Sequence, residues 1–197
     1  MLNVSTRSVN AISEHHYQTN VDATTSPAAF WPSYATQLTT KSNIRGNLSR
    51  FSASVLDAQK SGISFVLGET NTFFGHGQPG VSNSAAAALW LVDYSLQAAS
   101  IGVDCVYFHQ GIGYNYSAFE PLNNIGINIT DYEASAKRHV LPEYYGMLAV
   151  ADAIGTSGNA FINELWTDNS NFAAYQIWEG DQSKRLMLIN EVPWTAV

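Results

Sequence analysis

Glu69 is the residue of this sequence best placed for chemistry. It closes an apolar run, 63–68, that predicts a buried strand, and it opens a loop that contains Gly75, His76 and Gly77. Barrel enzymes hold catalytic groups at such strand ends, because the strand fixes the side chain and the loop leaves room for a substrate. The alternative interpretation is a structural carboxylate that caps the next helix or pairs at the surface.

The elements that would position Glu69 alternate between strand and helix over the first three quarters of the sequence. The hydrophobic spacing and the turn residues predict this order: strand 8–17, a long loop, a helix that stops at 61–62, strand 63–69, a helix from a Ser82 or Ser84 cap to 102, strand 103–109, and a helix from 142 to 155. Such alternation is typical of βα units around a parallel sheet.

After residue 160 the pattern changes to short aromatic and β-branched runs, at 161–165, 172–178 and 184–190, which predict antiparallel strands. Three βα units cannot close an eight-unit barrel of roughly 250 residues, and three strands cannot complete a sandwich. The sequence therefore predicts an α/β fold in which 1–157 is the C-terminal part of a (β/α)8 TIM barrel and 158–197 begins a β-sandwich domain.

The charge distribution limits the ligand. The net charge is -7, which argues against nucleic acid and anionic membranes as partners. There is no Lys or Arg between Lys60 and Lys137, so a ligand near Glu69 would be recognised by hydroxyls, amides, aromatic rings and His unless another segment supplies a cation.

Glycosylation signals and the cysteine bear on the compartment. The chain has four sequons, at Asn3, Asn47, Asn115 and Asn128, and these are compatible with a secreted glycoprotein whose leader lies outside this chain. The single cysteine, Cys105, lies in an apolar run and is expected to be a core thiol rather than a nucleophile or metal ligand.

Five stretches carry a resemblance to a known family: Gly68-Glu69-Thr70-Asn71, 75–83, 87–94, 106–111 and Gly113-Tyr114. On these residues the sequence resembles the fungal and bacterial β-glucuronidases of glycoside hydrolase family 79, over roughly residues 8 to 197. Heparanase is a more distant member of that family. The resemblance implies a retaining glycosidase with a (β/α)8 barrel, an attached β-sandwich and no cofactor or metal.

The resemblance also implies a role for Glu69, namely the nucleophile at the end of barrel strand seven. A retaining enzyme pairs an ionised carboxylate with a protonated carboxylic acid about 5 Å away. In the family that acid lies on strand four, upstream of Met1, and neither Glu14, Glu120 nor Glu164 matches it. The isolated chain is therefore expected to be an inactive fragment.

Substrate-binding positions follow from the same resemblance. Tyr17 matches a phenol that steadies the nucleophile or the sugar ring, and Gly113 and Tyr114 match the backbone N–H and hydroxyl that hold the substrate's carboxylate. Phe74 stands where a Tyr is expected, and the Tyr116 hydroxyl is a candidate to compensate for it. The remaining candidate substrate-binding residues are Asn71 and His109.

Three hypotheses remain for the function. The first is a secreted, exo-acting β-glucuronidase that releases glucuronate or 4-O-methylglucuronate from glycans of the arabinogalactan type. The second is a catalytically inactive fragment or sugar-binding remnant of such an enzyme. The third is a heparanase-like endo-hydrolase, which the lack of basic residues disfavours, because sulfated chains require basic clefts. The expected partners are a glucuronate-containing glycan and the missing N-terminal part of the barrel.

Overall fold

The computed structural model describes residues 9–20, 27–123 and 138–192, with side chains from Ser33 onward in the first helix. These residues form a mixed α/β structure with five helices and three sheets. In chain order the elements are β1 (Ala11–Asn20), α1 (Pro27–Leu38), α2 (Lys41–Ser49), α3 (Ser52–Lys60), β2 (Ser64–Phe74), α4 (Ala85–Ser100), β3 (Cys105–Phe108), β4 (Phe119–Glu120), β5 (His139–Val140), α5 (Pro142–Ile154), β6 (Ala160–Leu165), β7 (Phe172–Glu179) and β8 (Gln182–Asn190). The sequons at Asn3 and Asn128 lie outside the described residues.

The first sheet is parallel, in the order β1-β2-β3. Its register is irregular on both sides of Gly68-Glu69: between Glu14 and His15 on β1, and between Leu67 and Thr70 on the β3 side. A Cβ at Gly68 would lie 2.0 Å from the Ser13 Oγ, so any other residue here would require the Ser13 hydroxyl to move. The chain next to Glu69 therefore lies close to β1.

The helical prediction for 44–61 is only partly right. Two helices, α2 and α3, occupy this stretch, and the turn between them holds Phe51, whose ring packs against Phe65 and His16. The long loop predicted after β1 contains α1, whose residues Ala35 and Leu38 are buried. Tertiary burial, which the sequence does not display locally, decides both differences.

The sheet β6-β7-β8 is antiparallel, and its strands lie close to the predicted positions. One face packs on α4 and α5 through an apolar cluster that includes Val92, Leu96, Ala153, Ile162, Tyr175, Ile177 and Ile189. The larger barrel and sandwich, and the domain boundary at 157, remain predictions.

A buried charge cluster joins this sheet to the helices. The Lys41 Nζ donates to the Asp93 Oδ1 (2.8 Å) and the Gln97 Oε1 (2.6 Å), and it also contacts the Tyr175 hydroxyl. Both members of the Lys41–Asp93 pair are almost fully buried. Removing one partner of such a pair typically costs about 3–5 kcal/mol, because the other charge stays buried.

Cys105 corrects a sequence prediction. It begins β3, the edge strand of the described parallel sheet, and its side chain is exposed instead of lying in the core. None of the described helices is both long and apolar enough to cross a membrane.

Candidate active site

Glu69 lies within β2 and not at its end, so the predicted strand boundary is wrong. β2 continues to Phe74 because β1 pairs alongside it that far, with Asn20 opposite Phe74. The β3 pairing, however, stops at Phe108 opposite Thr70. Glu69 therefore lies at the carboxyl end of the parallel sheet, next to the point where β3 stops pairing with β2. The Glu69 side chain is 33% exposed.

Residues from β1 and from the end of β3 surround the Glu69 carboxylate. The Tyr17 hydroxyl donates to the Glu69 Oε1 at 2.7 Å. The His109 Nδ1 lies 3.9 Å from the same oxygen, and the His15 Nδ1 lies 3.7 Å from the Oε2. One carboxylate oxygen is thus fixed by a phenol, and the other has only a longer imidazole contact.

His109 links the phenols of the site. Its Nδ1 lies 3.0 Å from the Tyr17 hydroxyl and 3.0 Å from the Tyr116 hydroxyl. Burial, together with the hydrogen bond that Tyr17 donates to Glu69 and its hydrogen bond with Tyr116, raises the pKa of Tyr17 far above its usual value. Burial likewise raises the pKa of Tyr116 to about 12. Both phenols therefore keep their protons at neutral pH.

His16 points away from this cluster, as the alternation of side chains along a strand requires. Its Nδ1 lies 2.8 Å from the Tyr94 hydroxyl, and its ring stacks on that of Tyr94 in the core. Burial, with a smaller effect of the Arg50 charge, lowers the pKa of His16 to about 4. Of the two consecutive histidines only His15 lies near Glu69.

Asn71 is fully buried behind the site. Its amide nitrogen donates to the carbonyl oxygens of His109 (3.1 Å) and Tyr116 (3.4 Å) and to the Glu143 Oε2 (3.4 Å), and its Oδ1 accepts from the Thr72 N–H. This amide therefore joins the loop after β3 to β2. Asn71 has no exposed surface with which to contact a sugar, so its predicted role as a substrate-binding residue does not fit this position.

Glu143 is the residue of this region that sequence reasoning missed. It is fully buried at the start of α5, and burial raises the pKa of its carboxyl well above the usual range. An acidic residue after Pro142 looks like an ordinary first-turn glutamate that favours the helix dipole. Nothing in the sequence marked its contact with Asn71.

The loop predicted to hold the substrate's carboxylate is arranged differently from the Glu69 cluster. The Gly113 N–H donates to the Glu120 Oε2 at 2.6 Å, and the Glu120 Oε1 accepts from the Leu122 N–H. The Tyr114 ring stacks on His76, with centroids 4.0 Å apart. The Gly113 N–H, which is predicted to hold the substrate's carboxylate, therefore already donates to a carboxylate of the protein, that of Glu120.

The other predicted binding residues flank these two regions. Phe74 is 60% exposed, and its ring meets that of Tyr17 edge-on at 5.3 Å. Tyr116 is buried, with its hydroxyl turned to His109. Asn115, which belongs to a sequon, is also buried, and its amide donates to the Gly77 carbonyl.

The other three glutamates weighed as the catalytic acid lie elsewhere. Glu120 binds the loop N–H groups, and Glu164 pairs with Arg45 and Lys41. Glu14 is exposed on β1. Within the described parts of the chain, no cluster of three or more His, Cys, Asp or Glu side chains could hold a metal ion.

A carboxylate oriented by a phenol at the carboxyl end of a parallel sheet is compatible with the nucleophile of a retaining glycosidase, whose mechanism also needs a second carboxyl group. No family model matches the chain. The comparison with curated proteins is more specific. The sequence is 36% identical over 131 residues to a β-glucuronidase of Aspergillus niger, which covers 66% of this chain and 23% of that protein. It is 32% identical over 136 residues to a β-glucuronidase of Neurospora crassa, covering 64% and 23%.

The comparison with solved structures agrees. The chain matches the crystal structure of a 4-O-α-L-rhamnosyl-β-D-glucuronidase from Fusarium oxysporum 12S in complex with Rha-GlcA, with a TM-score of 0.71 and 26% identity. The match covers 94% of this chain and 35% of that one. These findings confirm the resemblance to the family 79 β-glucuronidases. The chain spans about a quarter of the length of the curated relatives that it matches.

Proposed function

We propose that this chain carries the nucleophile half of a retaining β-glucuronidase site, with Glu69 as the nucleophile. The observation that carries the proposal is the hydrogen bond from the Tyr17 hydroxyl to the Glu69 Oε1. It holds the carboxylate in one orientation and leaves the Oε2 as the oxygen free to attack an anomeric carbon. A positioned carboxylate of this kind forms the glycosyl-enzyme ester of a retaining reaction.

The same mechanism needs an acid that protonates the departing glycosidic oxygen. Glu120 and Glu164 are held by other groups, and Glu143 is buried behind Asn71. We infer that the acid/base glutamate comes from a segment that precedes this chain in a longer protein. On that basis the chain alone does not hydrolyse ordinary glycosides.

The proposed substrate is a terminal β-linked glucuronate, or its 4-O-methyl form, on a secreted or extracellular glycan. The names of the relatives support the uronate, and the segment from 61 to 136 has no Lys or Arg to bind sulfate groups. The carboxylate would be held by the Gly113 N–H and the Tyr114 hydroxyl, through charge-assisted hydrogen bonds.

The test uses a substrate that does not need the absent acid. A 2,4-dinitrophenyl 2-deoxy-2-fluoro-β-glucuronide has a leaving group that departs without protonation, and its fluorine slows hydrolysis of the ester. Incubation with the chain should attach one fluorouronosyl group to the peptide that contains Glu69, as peptide mass spectrometry would show. The same probe with a glucose ring is the control for the carboxylate.

Two results would contradict the proposal. Labelling at Glu14 or Glu120 would show that the nucleophile is misassigned. If no label formed on a chain that binds the probe reversibly, a sugar-binding remnant would be favoured instead.

A further inference from the structure

We propose that His109 is a positioning residue whose neutral imidazole carries its proton on Nδ1, and that this N–H directs the Tyr17 hydroxyl onto Glu69. The inference rests on the proposed function in taking Glu69 as an ionised nucleophile. It assigns to His109 a role different from the substrate contact predicted for it.

The argument begins with the single proton of the Tyr17 hydroxyl. An ionised carboxylate only accepts hydrogen bonds, so at 2.7 Å the proton must lie between the Tyr17 oxygen and the Glu69 Oε1. The Tyr17 oxygen can then only accept from its remaining neighbours. The His109 Nδ1, at 3.0 Å, must therefore be a donor.

The opposite tautomer has a specific consequence. With a bare Nδ1, the Tyr17 proton would turn to His109, and its oxygen would face the Glu69 Oε1 at 2.7 Å without a proton between them. Two lone-pair-bearing oxygens are held at that distance only if the carboxylate is itself protonated. A protonated Glu69 is not a nucleophile, so the tautomer of His109 reports which way this chain of hydrogen bonds runs.

The position of Tyr116 is consistent with a chain of hydrogen bonds that runs from His109 to Tyr17 to Glu69. Its hydroxyl also lies 3.0 Å from the His109 Nδ1, so the one N–H is shared between two phenol oxygens. Tyr116 then keeps its own proton for donation, either to Tyr17 or to a bound sugar. The His109 Nε2 becomes an acceptor, so a sugar hydroxyl that contacts it must be the donor.

The backbone holds His109 in place for this role. Its N–H donates to the Thr70 carbonyl at 2.9 Å, and its carbonyl accepts from the Asn71 amide at 3.1 Å. These two residues directly follow Glu69. The imidazole is therefore anchored to the same stretch of β2 as the nucleophile, and the Tyr114 ring meets it edge-on at 5.6 Å.

The experiment measures the proton directly, without a substrate. In long-range 1H–15N correlation spectra of the 15N-labelled chain at about pH 8, where an ordinary imidazole is neutral, His109 should show a proton-bearing Nδ1 and a bare Nε2. His15 is the internal control, because its side chain is 62% exposed and its nearest carboxylate oxygen is 3.7 Å away. It should show the mixture of tautomers found in water. A His109 with its proton on Nε2 would overturn the inference.

Variants test the direction of the chain of hydrogen bonds. Tyr17→Phe removes the oxygen that requires a donor, and the remaining neighbour, Tyr116, can either accept from Nδ1 or donate to it. The fraction of His109 with its proton on Nδ1 should therefore fall in this variant, and a larger fraction than in the wild type would contradict the inference. In the labelling assay His109→Leu should be about tenfold slower, the loss of one hydrogen bond. His109→Asn, whose amide N–H can replace the Nδ1–H, should recover most of that rate; equal losses in both would count against the positioning role.

The two proposals fail separately. If the fluoro-glucuronide does not label Glu69, the glucuronidase function falls, while the spectrum still shows where the proton lies. If labelling occurs and the proton is on Nε2, the function stands and the positioning role falls.

Discussion

The Glu69 cluster and the Gly113 loop represent two ways of building one binding region. Around Glu69, side chains from β1, β2 and the residue after β3 already meet, and the proposed nucleophile has its phenol donor in place. In the loop, the N–H proposed to hold a substrate carboxylate is bonded to Glu120 instead. The proposed attacking group is therefore preassembled, whereas the proposed recognition group would have to exchange the Glu120 carboxylate for that of a substrate.

The difference follows from where the residues lie. Glu69 lies on β2, the central strand of its sheet, which pairs with β1 on one side and with β3 on the other. Loop residues depend on local hydrogen bonds, which a ligand can replace at little cost. Substitutions near Glu69 should therefore change the rate for every substrate, and substitutions in the loop should change the preference between substrates.

The largest effect is expected for Glu69→Gln, which should abolish covalent labelling by the fluoro-glucuronide. The amide has nearly the same shape and can still accept from Tyr17, so the melting temperature should stay close to that of the wild type. Mass spectrometry and a thermal melt check the two statements. Residual labelling at the wild-type rate would remove Glu69 from the mechanism.

Tyr114→Phe should lower the labelling rate with the glucuronide by about one to two orders of magnitude, the loss of one charge-assisted hydrogen bond. The rate with the matching glucoside, which has no carboxylate, should scarcely change. The comparison of the two probes isolates the carboxylate. An equal loss with both probes would indicate that Tyr114 acts on the nucleophile and does not bind the substrate's carboxylate.

A smaller effect in the other direction is expected for Glu120→Gln. An amide oxygen holds the Gly113 N–H less strongly than a carboxylate does, and it carries no charge to repel a uronate. Glucuronide labelling should become a few-fold faster, with no gain for the glucoside. Glu14→Gln, at an exposed strand position, is the matched control, and an unchanged glucuronide rate in Glu120→Gln would show that Glu120 does not compete for the site.

The smallest expected effect concerns stability and comes from Glu143. Because burial raises its pKa in the folded protein, the folded state keeps a proton that the unfolded chain loses above about pH 4.5. The folded state binds more protons, so the stability of the wild type falls as pH rises through and above that value. Glu143→Gln, always neutral, should escape this loss.

The melting temperature of Glu143→Gln relative to the wild type should therefore increase between pH 5 and pH 8. Glu14→Gln should show no such trend. A constant difference across this range would mean that Glu143 is ionised in the folded protein.

Much of the fold was predictable because its signals are local. Pro142 and Gly155 mark the ends of α5, and Ser84 occupies the N-cap position of α4, where its hydroxyl donates to the Val81 carbonyl and not to the helix. The extents of β1 and β2 were not predictable, because pairing between strands decides where each one stops. α1 was missed because Pro32, a residue that usually interrupts helices, lies within it.

The site was predictable where the family resemblance and the strand pattern coincide. Glu69 and Tyr17 were named from the sequence, and the structure places them in contact, although their roles in catalysis stay predictions. The contacts of Gly113 with Glu120, and of Asn71 with Glu143, join residues that are separated in the sequence. They depend on tertiary packing and loop dihedrals, for which a single sequence has no signal.

The buried amide of Asn115 makes the timing of modification matter. In a secretory compartment a glycan would be attached to this asparagine only while the loop is still unfolded, because in the folded chain its nitrogen is bonded to the Gly77 carbonyl. Folding and the glycosylating enzyme thus compete for the same atom. A glycan on Asn115 would remove the hydrogen bond to the Gly77 carbonyl and its burial, so folded molecules are expected to carry no sugar there.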